Sequence, residues 1–366
     1  MSSTKLGLVG LPNAGKSTLF NALTSAHAAV APYPFTTIDQ NVGVAPVADA
    51  RLDALARLLV PERVIPTSLE FVDIAGLVKG AHKGEGLGNQ FLSHVFGVDA
   101  LLHVVRGFDD ENVAHPMGSV DPLRDIEIIN TELLLKDLEV VSRRKEKEQK
   151  LAKSGDKHAI ALVEQLEHWH AALAAGTPIR RLPLAPEAHP KKFGIDLLSA
   201  KPVLYAVNVG EGAESTAASR LQAVRELAAQ EGARVVTFCA KLEAELAELD
   251  PADRPAMMRE LQIAESALPL VIREGYALLR LLTFFTTASK ILQAWTVPQS
   301  TKAPQAAGTI HTDFERQFIR AEVIAAGTLL RCGSEASARA QGLLRLEGKD
   351  YAVQDGDVIH FRVGQG

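Results

Sequence analysis

Apolar residues along this chain are spaced in three ways, and each spacing predicts a different kind of element. In residues 5–130 short Val, Ile and Leu runs (LGLVG, LEFVDIAG, ALLHVV) alternate with stretches of helical periodicity, the pattern of buried strands joined by crossover helices in a parallel sheet. From Thr131 the period lengthens. Leu133, Leu134, Leu138 and Val141 form one apolar stripe, KSGDK at 153–157 marks a turn, and Ile160, Val163, Leu166, Trp169 and Leu173 recur every three or four residues. These read as an antiparallel helical hairpin. Pro178, Pro183, Pro186 and Pro190 break the periodicity before the run at 203–207 returns to strand, so the hairpin reads as an insertion between two strands of one sheet. After about residue 280, short strands (AWTV, FIRAEVI, YAVQ, DVIHFRV) surround Gly-rich turns, which predicts a small α+β domain able to fold alone. The expected organisation is α/β, with a sheet domain over 1–130 and 200–279, a helical insertion over 131–199 and a C-terminal domain over 280–366.

Composition narrows the class. At 366 residues, 47% hydrophobic and 23% charged, the chain is long enough for two or three cores. Cys239 and Cys332 are too few and too far apart for a disulfide framework or a metal cluster, and they fit a reducing cytoplasm. The N-terminus runs straight into an apolar strand, and Arg273, Glu274 and Arg280 interrupt the most apolar later stretch. Neither a signal peptide nor a membrane partner is expected. The net charge of −5 argues against wholesale wrapping of nucleic acid, and no sequence-specific DNA partner is expected. The charge is uneven, however: residues 1–130 hold 9 Lys/Arg against 14 Asp/Glu, and residues 280–366 hold 10 against 8. Any RNA contact should be local, at Lys302, Arg316, Arg320 and Lys349 or along RRKEKEQK at 143–150, although that run also fits a solvated helix face.

The strongest chemical signal is GLPNAGKST at 10–18, which follows the strand LGLVG and opens a helix. Backbone amides of such a loop cradle phosphates, Lys16 supplies a charge to the β/γ oxygens, and the Ser17 hydroxyl is suited to Mg²⁺. Asp73 and Gly76 form a D-x-x-G at the end of the next strand: a carboxylate for a metal-bound water, and an amide for the γ-phosphate. This favours a switch-type hydrolase over a metabolite kinase. Thr37, in PFTT at 34–37, then fits a first switch that closes over the metal.

VGLPNAGKST, PFTT, VDIAGLVKGAHKGEGLGNQFL and APQAAGTIHTDFERQFIRAEVI resemble the YchF family of Obg-related P-loop NTPases over essentially the whole chain. The resemblance implies a P-loop G domain with a helical insertion, followed by a TGS domain of β-grasp, ubiquitin-like fold, and a ribosome-associated ATPase that meets the large subunit. It further implies Ser17 and Thr37 as magnesium ligands and Asn208, Val209 and Glu211 near the base; the motifs themselves add Asn13, Ala14, Gly15, Lys16, Ser17 and Thr18 with Gly76 as the phosphate site and Asp73 on the metal side. Ala14, Gly210 and the stretch SKILQAWT depart from the family's usual residues.

Two questions stay open within the sequence. The position after D-x-x-G, often Gln in small GTPases, is Leu77, which cannot orient water. The resemblance points instead to His115 as the catalytic histidine, with His82 in the Gly-rich second switch as its competitor, and Asn13 could hold K⁺ beside the phosphates. The second question is the base. Where Asn-Lys-x-Asp would clamp guanine, the chain has Asn208-Val209-Gly210-Glu211, which removes the lysine stem and pushes the carboxylate out by one methylene. ATP is therefore expected to bind at least as well as GTP. The function read from sequence is a Mg²⁺-dependent nucleoside triphosphatase acting as a nucleotide switch. The alternatives are an interaction protein with negligible turnover and a GTP-preferring enzyme.

Overall fold

Strand β1 (Lys5–Val9) is buried along nearly its whole length and sits inside a six-stranded sheet. The computed structural model describes residues 4–25, 42–74, 87–210, 214–250, 252–261, 263, 265–288 and 290–364. Helix α1 (Lys16–Ser25), strand β2 (Val42–Pro46), helix α2 (Ala50–Leu59), strands β3 (Arg63–Ile65) and β4 (Ser68–Asp73), helix α3 (Leu87–Phe96) and strand β5 (Ala100–Arg106) follow. Then come the long helices α4 (Pro122–Ala152) and α5 (Lys157–Ala174), strand β6 (Val203–Asn208), helix α6 (Glu214–Gln230), strand β7 (Arg234–Phe238) and helices α7 (Ala240–Glu248), α8 (Arg254–Glu260) and α9 (Ala267–Leu278). The sheet runs β2-β4-β1-β5-β6-β7, and β1, β4, β5, β6 and β7 pair in parallel. Strands β5 and β6 are buried at every position, which is why they read as unbroken apolar runs rather than as an alternation. Gly7 is required by packing: a Cβ there would lie 2.7 Å from Ile74 and 2.8 Å from Val98.

Helix α4 starts on an Asp121 cap that accepts from the Arg124 amide, with Pro122 in the first turn. Its first turns place Ile126, Ile129 and Leu133 in the core under the parallel sheet. Farther along, Leu134 and Val141 join Leu162, Leu166, Trp169 and Leu173 of α5 in a separate cluster. One helix therefore serves two cores, and it begins nine residues before the expected boundary at 131. Two arginines of the basic run pair within α4, Arg143 with Glu139 at 2.7 Å and Arg144 with the buried Glu148 at 3.0 Å.

The second sheet contains strands β8 (Leu281–Ala288), β9 (Ile291–Pro298), β10 (Phe318–Ala325), β11 (Arg345–Glu347) and β12 (Asp357–Val363), in the order β11-β10-β12-β8-β9-β3. Helices α10 (Ala303–Ile310), α11 (Thr312–Arg316), α12 (Ala326–Cys332) and α13 (Glu335–Ala340) lie between its strands in sequence. It is mixed: β8/β9, β10/β12 and β10/β11 are antiparallel, whereas β12/β8 and β3/β9 are parallel.

The compact units cut the chain differently from the sequence boundaries. Residues 44–69 fall with 276–366, and residues 4–43 and 70–275 form the other unit. The cause is visible in the packing. Leu52 and Leu55 of α2 share a core cluster with Phe285, Leu292, Ile324 and Leu329, and β3 extends the second sheet beside β9. Arg51 adds a hydrogen bond of 2.6 Å to Asp355, and Thr67 hydrogen-bonds Thr296. The C-terminal body thus takes part of its core from residues that the sequence reading had placed in the first domain, and residues 280–366 are not the whole of it.

Candidate functional site

The loop between β1 and α1 has the backbone that a phosphate cradle needs. Gly10 (φ +153°), Asn13 (φ 62°) and Gly15 (φ 98°) have positive φ, a region glycine enters freely and asparagine more easily than most residues. At Gly10 a Cβ would strike the Val104 carbonyl, and at Gly15 it would strike the side-chain amide of Asn208. Helix α1 begins at Lys16, so its first amides, free of intrahelical partners, face the loop with the positive end of the helix dipole.

Lys16 is buried, and its Nζ donates to the Leu11 carbonyl at 3.1 Å. Burial lowers its pKa, and the nearby Asp73 carboxylate acts in the opposite sense. An ammonium held this way, short of partners, gains from an incoming phosphate. Ser17, next along the helix, donates from Oγ to Asp73 Oδ2 at 3.0 Å. The other oxygen of that carboxylate, Oδ1, is buried and has no hydrogen-bond partner among the described residues. A hydroxyl and a carboxylate with an uncompensated buried oxygen are hard donors suited to Mg²⁺. Among the described residues no group of three or more His, Cys, Asp or Glu side chains gathers to hold a metal. Ala14 is buried and Thr18 half-buried within the same turn. Thr37, Gly76, Leu77, His82 and Glu211 lie outside the described residues.

Asn208 closes β6 and is buried. Its Nδ2 donates to the Ala14 carbonyl at 3.1 Å, and its Oδ1 accepts from the Ala240 amide at 3.0 Å. Both ends of its amide brace the phosphate loop against the turn that opens α7, and the second Nδ2 proton has no partner among the described residues. Val209 continues this edge, its amide donating to Phe238 at 2.8 Å.

His115 is held rather than solvated. Its side chain is 4% exposed, and Nε2 lies 2.8 Å from Asp125 Oδ2 in the first turn of α4. Nδ1 accepts the Met117 amide at 3.1 Å, which puts the ring proton on Nε2. The loop carrying it is pinned from below by Arg106. This buried guanidinium at the end of β5 donates to the carbonyls of Phe108, Asp110, Val113 and Ala114 at 2.9–3.4 Å and stacks on Phe108. Asn13 reaches the same loop, donating from Nδ2 to Ala114 at 3.0 Å. Neither Arg106 nor Asp125 was singled out by sequence. The available signal was an arginine closing a run of strand apolars, where a charge must find partners.

A glycine loop feeding a buried lysine and a hydrogen-bonded serine–aspartate pair, at the C-terminal edge of a parallel sheet, defines a P-loop nucleoside triphosphatase. The 50S ribosome-binding GTPase family model matches residues 5–151, and YchF-GTPase_C, described as a protein of unknown function, matches residues 281–364. The chain is 50% identical over 358 residues to the ribosome-binding ATPase YchF of Bacillus subtilis, covering 97% of this chain and 98% of that one. It is 42% identical over 372 residues to Obg-like ATPase 1 of Rattus norvegicus, covering 99% and 92%. The solved structure of the Schizosaccharomyces pombe YchF GTPase superposes with a TM-score of 0.88 at 36% identity, covering 99% of this chain and 98% of that one. The chain belongs to the YchF family.

Proposed function

We propose that this chain is a Mg²⁺-dependent triphosphatase that takes ATP at least as well as GTP and works as a nucleotide switch on the ribosome, at its large subunit. The observation that carries the reading is the Ser17–Asp73 pair, whose Oδ1 has no partner among the described residues, beside a buried Lys16. On binding, Lys16 leaves the Leu11 carbonyl for the β/γ oxygens, and the amides at the start of α1 receive the remaining phosphate charge. Ser17 and Asp73, with Thr37, would hold the magnesium, which would supply positive charge against the phosphates. His115 orients the attacking water once its loop releases the ring from Asp125, and Gly76 contacts the γ-phosphate. Slow turnover before that release follows from the buried, doubly bonded imidazole.

Base choice falls to Val209, Glu211 and the turn at Cys239-Ala240-Lys241, with Asn208, whose Nδ2 keeps a second N–H beyond the one given to Ala14, free to face N7 of the base. Without the lysine stem and short aspartate, guanine loses a pair of well-placed hydrogen bonds, a deficit of about 1–3 kcal/mol. The ribosome reading is supported by the names of the curated relatives. Exposed Lys302, Arg316, Arg320 and Lys349 are its candidate contacts. The same reading makes the C-terminal body a β-grasp TGS domain, α4 and α5 an inserted hairpin, and the cell cytoplasm the setting.

Phosphate release by the parent and by Lys16→Ala, with ATP and GTP titrated side by side, tests this. Equal release from both proteins removes the hydrolase reading, and a tenfold or greater preference for GTP removes the base assignment. His115→Ala is expected to lower kcat about ten- to a thousandfold with little change in nucleotide affinity.

A further inference from the structure

The phosphate loop and the loop carrying His115 are joined at one backbone carbonyl. Asn13 donates to Ala114 O at 3.0 Å, and Arg106 Nη1 lies 3.4 Å from the same oxygen. Arg106 fixes the rest of that loop through Phe108, Asp110 and Val113, so Ala114 is the point at which an otherwise clamped segment meets the nucleotide site. The neighbouring residue is His115, whose ring orientation is set by Asp125 and by the Met117 amide. Asn13 reaches across from a left-handed backbone, φ 62°. Asparagine adopts that conformation with less strain than most residues, and its amide supplies the donor.

From this geometry we propose that Asn13 is a positioning residue for His115, acting through the Ala114 carbonyl to hold the histidine loop against the phosphate loop. The inference rests on the reading that His115 acts in hydrolysis. A change in the phosphate loop on nucleotide binding moves Asn13, and the hydrogen bond passes that change to the residue beside the histidine. An asparagine that served only to hold a monovalent cation would need its oxygen and would not need this donor.

The test is a double-mutant cycle with Asn13→Gly, which deletes the amide yet keeps the left-handed backbone, and His115→Ala. Single-turnover rates, KM and affinity for a non-hydrolysable ATP analogue are measured in potassium and in sodium. We expect Asn13→Gly to lower kcat about tenfold or more with analogue affinity within about fivefold of the parent, and the double variant to be no slower than His115→Ala. Additive losses, or an unchanged kcat in Asn13→Gly, overturn the proposal while leaving His115 its role. Loss of potassium stimulation together with additivity overturns it in favour of a cation ligand. An unchanged kcat in His115→Ala overturns both the proposal and the reading beneath it. Should Asn13→Gly fail to fold, Asn13→Asp replaces the donor by an acceptor facing Ala114 O, and the same non-additivity with His115→Ala is expected.

Discussion

The amide of Asn208 donates to the carbonyl of Ala14 at 3.1 Å, and it does so through the space that a Cβ on Gly15 would occupy. The strand that ends at the base-reading loop and the loop that holds phosphate are therefore one braced piece, with the Ala240 amide as the third contact. Asn208→Ala leaves the Ala14 carbonyl and the Ala240 amide unpaired. We expect a loss of about 1–3 kcal/mol in stability, read by thermal melting without nucleotide. ATP and GTP affinity should fall by the same factor, because the defect lies in the brace and not in the base contacts. A loss confined to one nucleotide would show that the side chain reads the base.

Asp73 presents a buried oxygen with no partner among the described residues. Asp73→Asn keeps the shape but removes the charge that the metal needs. The magnesium concentration for half-maximal nucleotide binding should rise at least about tenfold, while the melting temperature in EDTA changes little, since the half-buried side chain keeps its shape and its hydrogen bond from Ser17. A lower melting temperature in EDTA would make the residue structural.

His103, on β5 in the middle of the parallel sheet, is almost fully enclosed, and its pKa is pushed down from 6.5 to about 3 by burial, with Arg180 and Lys16 adding repulsion. A depressed folded-state value means that the unfolded chain binds the proton first. The neutral ring's contribution to stability is whole above pH 6.5 and is lost as pH falls from there toward 3, by at most about 1.4 kcal/mol per pH unit. His103→Phe, which keeps a ring beside Tyr205, should move the acid limb of the denaturation curve to lower pH. An unchanged limb would assign acid unfolding to other groups.

Much of this was readable from one sequence, and the reason it stops where it does is physical. The strands around Leu6, Leu101 and Leu204 are buried on both faces, and the glycine loop carries its own backbone requirements, so local pattern suffices for each. Residues 44–69 defeat local pattern. Leu52 and Leu55 announce an apolar helix face without saying which sheet it covers, and β3 is three residues long with Arg63 and Val64 exposed. Asp125 is hidden for a related reason. In sequence it is a first-turn acid of a helix, and only folding brings it to His115 ten residues away.

Because α2 and β3 complete the C-terminal body, residues 276–364 expressed alone should be less stable than the same body in the full chain, with the apolar surface of Phe285, Leu292 and Leu329 uncovered. A synthetic peptide of residues 44–69 added in trans should raise the fragment's melting temperature and reduce dye binding to exposed apolar surface. No effect of the peptide, with a sharp melt of the fragment alone, would return the C-terminal domain to the boundary near 280.

The route of the chain also limits how such a protein can be inherited. A body made from residues 44–69 and 276–366 cannot be moved between genes by one crossover, because a recombinant joined near residue 276 would put one parent's Leu52 and Leu55 against the other parent's sheet. Chimaeras between diverged relatives should therefore need both pieces from the same parent. Within a lineage, substitutions on the α2 face and at Phe285, Leu292 and Ile324 should be exchanged in step.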